Sequence, residues 1–361
     1  MRILLISYYF PPSNAIGAKR ADSFFNLFIK KGFHVDVISG FQDIKKNNTD
    51  IHNSRPITNF FKKLKHKLSI DLIFRSIDKS LFSRFFLSSL KKIKKLTKPD
   101  VIIVSYKPSS VIYLGIFAKI IFKAKLIVDL RDLISQIGVK NKKPVFHYLD
   151  TCLDKFLLSY ADEIITVSDV CRSKSEKIYN RKVHEIQNGI DGEVLNFNNT
   201  NNSNFKILYA GTFSSQRTLE NTLFFLDHYD INFELLVASS IKPNNTDERI
   251  TWKGYLSKLE LNKLVSSSDA LLLLEGMTLN SFENIPAKIF EYLKFNKPIL
   301  IDCNPESQVS QMITKINKGL NIHNPMSNLN LFIKNYNTTK DIEIYSREYQ
   351  NNKLMRIIEK L

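Results

Sequence analysis

Hydrophobic positions in this 361-residue chain fall into short unbroken runs separated by amphipathic stretches. Arg2–Phe10 is the first run, and such continuity marks a parallel strand buried on both faces. It stops at Pro11-Pro12-Ser13-Asn14, where Gly17 opens a helix carrying Phe24, Phe25, Leu27 and Phe28. His34–Ser39 predicts the next strand. Alternation resumes with a strand at Asp100–Ser105, a helix at Ser109–Phe122 and a strand at Lys125–Asp129. A helix around Val145–Ser159, a strand at Glu163–Val167 and a helix from Asp169 follow. The Asn188-Gly189 turn signal and the asparagine-rich tract 196–204 mark a domain boundary.

The second half repeats the rhythm. Strands are expected at Lys206–Ala210, Phe233–Ala238, Ile250–Tyr255 and Ala270–Leu274, with helices at Thr218–Asp227 and Leu259–Ser267. Ile342–Leu361 reads as one amphipathic helix. Strands alternating with helices predict an α/β protein of doubly wound parallel sheets, and the length predicts two domains, 1–190 and 191–341. Residues 41–98 interrupt the first as a helical insertion without clear strands.

Candidate chemistry concentrates in Ser281–Leu300. Glu283 and Glu291 flank Pro286, and Ile289, Phe290 and Leu293 have helical spacing. Proline belongs in a first helical turn, so Glu283 is expected in the preceding loop and Glu291 one to two turns into the helix. With strands on either side, Glu283 lies at the sheet edge where α/β proteins bind ligands. At the N-terminus, a strand, a loop and the Gly17 helix form a second approach for phosphate, because glycine lets backbone come close to an anion.

The run E-N-I-P-A-K-I-F-E-Y-L followed by N-K-P-I-L resembles the E-x7-E signature of retaining family-four glycosyltransferases (glycosyl transferases group 1), of bacterial surface-polysaccharide type. I-S-Y-Y-F-P-P-x-N-x-x-G-x-x-R, D-L-R-D-L, Y-A-D-E-I-I-T-V-S and H-E-I-Q-N-G-I-D resemble the same family in the same order. The resemblance covers nearly the whole chain except 41–98. It implies the GT-B fold, two Rossmann-like doubly wound domains facing across a cleft, with a C-terminal helix (342–361) crossing back to the first. It also implies a nucleotide-diphosphate sugar as donor substrate, no cofactor and no metal.

By this resemblance Glu283 faces the donor sugar and Glu291 the ribose hydroxyls, while the Gly17 loop faces the donor diphosphate. Relatives carry Arg and Lys after the first strand of the second domain. Here Gly211 is followed by Thr212, which leaves Arg217 in G-T-F-S-S-Q-R-T, with Lys288, to neutralise the leaving diphosphate. Arginine suits this task because its fork meets phosphate oxygens bidentately. Pro286 has no N–H, so the Ala287 amide is the backbone candidate for phosphate. Arg131 and Asp132 end a strand at the ligand edge. Either substrate contact or a structural salt bridge fits them, since the histidine many relatives place nearby is absent.

Charge adds a partner. The formal net charge is +17, and it is one-sided: residues 1–190 carry 34 Lys/Arg against 16 Asp/Glu, residues 191–361 carry 18 against 19. Arg55–Lys98 alone has 13 basic residues and two acids, with Phe60, Phe61, Phe85 and Phe86 among the lysines. Basic amphipathic helices of this kind suit an anionic membrane surface, which would bring the enzyme to a lipid-linked saccharide acceptor. No nucleic-acid motif accompanies the charge. Three cysteines far apart offer no metal-ligand spacing and point to a reduced cytosol. The proline-broken N-terminus is unlike a signal peptide, and no apolar run reaches the ~18 residues of a membrane span. The expectation is a cytoplasmic protein, peripheral on the inner membrane's cytoplasmic face. Two other classes share parts of the pattern: a GT-B nucleotide-sugar epimerase, and a basic nucleic-acid- or membrane-binding protein without catalysis.

Overall fold

The computed structural model describes residues 1–13, 15–40, 51–53, 79–131, 144–195, 204–229, 231–244, 247–277, 282, 285–324, 327–336 and 342–361. The chain forms two compact units. One comprises Met1–Gln187 with Gln350–Leu361, the other Asn188–Tyr349.

The first unit is built on a parallel sheet. In chain order its strands are β1 (Arg2–Ser7), β2 (His34–Ser39), β3 (Ile51–Asn53), β4 (Val101–Tyr106), β5 (Lys125–Leu130), β6 (Glu163–Thr166) and β7 (His184–Glu185). Their order across the sheet is β3-β2-β1-β4-β5-β6-β7. The apolar runs become its centre: Ile3–Ile6, Ile102–Val104 and Leu126–Val128 are wholly buried, as continuous hydrophobicity requires of strands covered on both faces. Helix Ile16–Lys30 lays Phe24, Phe25 and Phe28 on one face, where Leu354, Met355 and Ile358 join them. Helix Ser110–Phe122 covers the other.

Two expectations for 41–98 are corrected. Ile51–Asn53 is a strand, paired parallel to β2 with Val37 opposite Ile51. Helix Arg84–Ile93 turns Phe85 and Ile93 fully inward, with Phe85 edge-on to Tyr8 at 5.1 Å, so Phe85 is core. Leu87, 58% exposed, is the apolar residue this helix offers to solvent. Phe60, Phe61 and the lysines from Lys62 to Lys67 lie outside the described residues. No described helix is long and apolar enough to cross a membrane.

The second unit holds β8 (Phe205–Ala210), β9 (Phe233–Ala238), β10 (Ile250–Gly254), β11 (Ala270–Gly276), β12 (Ile299–Cys303) and β13 (Gly319–Asn321). All its pairs are parallel, in the order β10-β9-β8-β11-β12-β13. Helix Lys258–Ser266 begins at a capping box: Ser257 accepts from the Glu260 amide, and the Glu260 carboxylate accepts from the Ser257 amide. The short β13 and helices Gln308–Lys315 and Leu329–Lys334 complete the unit.

The expected single helix Ile342–Leu361 is also corrected. Glu343–Tyr345 is a tight 3-10 turn, and the α-helix starts at Arg347. Backbone pairing breaks it: the Ile190 amide donates to the Tyr345 carbonyl (2.8 Å), and the Arg347 amide donates to the Ile190 carbonyl (3.0 Å). Asp191 then pairs with Arg347 at 2.9 Å.

Candidate functional site

In an open parallel sheet, ligands bind outside the carboxyl ends of the strands where the strand order reverses. In the second unit that point is the pair β8 and β11, and the polar residues gather there. β8 delivers Tyr209 and Gly211, and β11 ends in Glu275 and Gly276. The loop after Gly211 folds back through a tight turn in which the Arg217 amide donates to the Ser214 carbonyl at 3.1 Å. That return places Arg217 Nη2 2.8 Å from Glu275 Oε2. Lys288, the second residue of helix Ala287–Leu293, reaches the same spot. Its Nζ lies 5.3 Å from the Tyr209 ring centroid and so close to Gly211 that any Cβ there would overlap it. A side chain at 211 would have to displace the Lys288 ammonium and the Tyr209 hydroxyl.

The electrostatics follow from burial. Desolvation holds the Lys288 pKa below the ordinary lysine value, against the pull of Glu275 and Glu291. Burial pushes the Tyr209 phenol up to about 12, with Arg217 and Glu275 acting in opposite senses as the next causes. The phenol therefore stays protonated and donates to the Thr212 carbonyl at 2.9 Å. Tyr292 braces the pair of strands: its hydroxyl accepts from the Ala210 amide at 3.3 Å and donates to the Leu272 carbonyl at 3.2 Å. Two cations and one carboxylate thus face the strand ends, one cation held partly out of water. Two cations against one carboxylate leave a net positive charge that can accept an anion.

Pro286 caps helix Ala287–Leu293 in extended geometry, with Ala287 as the first helical residue. Glu291 lies three residues after Lys288 and is exposed. Arg217, Gly211, Ala287, Lys288 and Glu291 therefore come together on one end of one sheet. Glu283 lies outside the described residues.

The first unit gathers a second set at the end of β5. The Arg131 guanidinium sits against Gly17, where a Cβ would overlap it, and Arg131 Nε donates to the Tyr106 carbonyl at 2.8 Å. Asp132 lies outside the described residues. The buried ion pair of the D-L-R-D segment belongs to Asp129: Arg20 Nε and Nη2 donate to its two oxygens at 2.9 Å each. Ser105 Oγ adds a contact of 3.2 Å, and the pair is 1% and 0% exposed.

Sequence reasoning passed over four residues here: Arg20, Asp129, Tyr209 and Glu275. Glu275 had a signal, as the single acid ending the apolar run L-L-L-L-E. Arg20 and Asp129 stand in the motifs G-x-x-R and D-L-R-D, but their pairing had no signal, because they are 109 positions apart.

No family model matches the chain, and no curated protein matches its sequence. Solved structures match over its full length. The apo lipopolysaccharide outer core galactosyltransferase WaaB is 12% identical with a TM-score of 0.58, each chain covered 100%. HepE from Anabaena in complex with UDP is 11% identical with a TM-score of 0.60 over 100% of both chains. The UDP-GlcNAc 2-epimerase from Methanocaldococcus jannaschii is 11% identical with a TM-score of 0.53, again over 100% of both. At such identities the likeness is one of fold, and with two parallel doubly wound sheets it gives the chain the Rossmann-like two-domain architecture GT-B.

Proposed function

We propose that this protein is a retaining, metal-independent glycosyltransferase that moves a sugar from a nucleotide-diphosphate donor to a lipid-linked saccharide in surface polysaccharide synthesis. The observation that carries this reading is the convergence of Arg217 and Lys288 on the carboxyl ends of β8 and β11. The leaving group of a nucleotide sugar is its nucleoside diphosphate, so negative charge on that group grows as its bond to the sugar breaks and the sugar passes to the acceptor. Preorganised cations stabilise it most where water is scarce. A unit charge about 4 Å away contributes about 4 kcal/mol at screening typical of a protein surface. The names of the similar structures agree in kind: WaaB is a galactosyltransferase, and HepE was captured with UDP and with UDP-glucose.

The remaining roles follow the family resemblance. Glu283 holds the donor sugar, Glu291 the ribose hydroxyls, and the Ala287 amide a phosphate oxygen. Gly17 and Arg131 belong to the substrate approach of the first unit, together with Asp132. The protein works at the cytoplasmic face of the inner membrane, attached through its basic first half. No cofactor is needed.

The test is incubation of the full chain with radiolabelled nucleotide sugars and membrane lipid extract, with and without EDTA. Label passing into a lipid-soluble saccharide, undiminished by EDTA and lost in Glu283→Ala, is the expected result. Conversion of the nucleotide sugar to an isomer without any acceptor would replace this reading with the epimerase one. Strict dependence on Mg²⁺ or Mn²⁺ would overturn the metal-free part.

A further inference from the structure

Glu275 has no place in the roles above, yet it occupies the centre of the site. It is the next-to-last residue of β11, beside β8 at the point where strand order reverses. Its side chain is 13% exposed and touches Arg217, which is 37% exposed. It also acts on Lys288 and Tyr209.

The backbone around this ion pair is closely packed, while one of its partners faces solvent more than the other. Gly276 has φ +70°, and a Cβ there would lie 2.5 Å from the Gln216 carbonyl, so the end of β11 is in contact with the loop that carries Arg217. Of the two side chains Arg217 is the more exposed, 37% against 13%, and so has the more room to turn. Among the described residues its single hydrogen bond is to Glu275, through Nη2 alone. A guanidinium has five N–H donors in a planar fork, so this is a partial use of it.

The strengths of the two possible pairs decide the outcome. A single-contact, partly exposed ion pair is worth a factor of about five or less in an equilibrium constant. A bidentate contact to a phosphate bearing more charge is stronger and matches the fork's geometry. A diphosphate arriving between Arg217 and Lys288 therefore wins Arg217 from Glu275.

We propose that Glu275 is an internal competitor for the diphosphate: it holds Arg217 while the site is empty, yields it to the donor, and retakes it as the nucleoside diphosphate leaves. This rests on the glycosyltransferase reading of the site. The consequence is weaker ground-state binding of product and faster release, without loss of the cation when charge peaks in the transition state.

Calorimetric titration of the full chain with UDP and with inorganic pyrophosphate tests it. Glu275→Gln should bind both about two- to five-fold tighter, and UDP should dissociate more slowly by a similar factor in stopped flow. Arg217→Gln should bind both more weakly. In the Arg217→Gln background, Glu275→Gln should add less than about two-fold, because nothing is left to compete for. Should Glu275→Gln fail to fold, Glu275→Asp, which keeps the charge on a shorter stem, should tighten binding by an intermediate factor. Unchanged or weaker binding in Glu275→Gln would overturn the proposal, and so would tightening that persists without Arg217. A wild-type chain that binds pyrophosphate but neither UDP nor any nucleotide sugar would sink the glycosyltransferase reading while leaving competition at Arg217 measurable. A chain that binds neither refutes both.

Discussion

Lys288→Met separates the two jobs a buried lysine can have. Methionine keeps an unbranched stem and deletes the ammonium. If Lys288 were structural, its loss would destabilise the second unit. The structure argues otherwise, because burial already lowers its pKa, meaning the folded site pays to hold the charge. Removing the ammonium ends that cost and gives up the contact with the Tyr209 ring, worth about 0.5–1 kcal/mol at a partly exposed site. The two terms oppose each other, so the melting temperature should stay level or rise slightly. Catalysis should behave differently. The ammonium lies within reach of an anion at the strand ends, and about 4 kcal/mol of attraction at 4 Å corresponds to roughly a 10²- to 10³-fold loss in kcat/KM after screening. Calorimetry and the radiolabel transfer assay on the same preparation read both quantities. A loss under ten-fold with an unchanged melting temperature would refute the phosphate role, and a melting point several degrees lower would make Lys288 a structural residue.

The same lysine sets a pH dependence. A lysine whose pKa is lower folded than unfolded leaves the folded state with fewer bound protons, so its contribution to stability rises with pH between the lowered value and about 10.5. Activity should fall over that same window as the ammonium loses its proton, and Lys288→Met should show no such alkaline limb; a limb that survives the substitution assigns it elsewhere. Asp129→Ala strands the buried Arg20 guanidinium and should cost roughly 3–5 kcal/mol. At roughly 2–4 °C per kcal/mol for a unit of this size, the transition should drop by about 6–20 °C in calorimetry. An Arg20→Met/Asp129→Leu pair should recover most of the loss, and an Asp129→Ala variant melting within a degree or two of wild type would contradict the buried pairing. Lys62, Lys63, Lys65 and Lys67 reversed to Glu together should abolish sedimentation with anionic vesicles, since each lysine near such a surface contributes about 1 kcal/mol. Equal pelleting of variant and wild type would leave those lysines as solvated surface.

What the sequence made legible depended on length and locality. Runs such as I-L-L-I-S, V-I-I-V-S and L-L-L-L sit in strands of six or seven residues with both faces buried, so each announces itself. β3, β7 and β13 have only two or three residues, too few for any period to emerge. The break before Arg347 comes from pairing with Ile190, 157 positions earlier in the chain, and no local pattern encodes it. The site divides along the same line. Arg217 and Lys288 were legible through the family resemblance, one in the loop after a strand and the other at a helix start. Glu275 carried only a weak signal, because an acid closing an apolar run also looks like an ordinary strand end.

The first unit shows how two unrelated spacings can combine into one structure. Gly17 and Arg20 are three apart on helix Ile16–Lys30, hence on one face and about 4.5 Å apart along its axis. Asp129 on β5 and Arg131, one residue past its end, are two apart, about 6.6 Å if the strand's rise continues. The two pairs meet rung by rung: Arg20 with Asp129, and Gly17 with Arg131. A side chain at position 17 would push the upper rung apart. The lower rung needs opposite charges, because neither partner reaches water. G-x-x-R and D-x-R are therefore halves of one contact, which fixes the helix at the strand's carboxyl end and holds Arg131 over the glycine. Arg131 rests over the glycine with its Nε on the Tyr106 carbonyl, so the buried Arg20–Asp129 pair anchors the same helix start against which Arg131 packs.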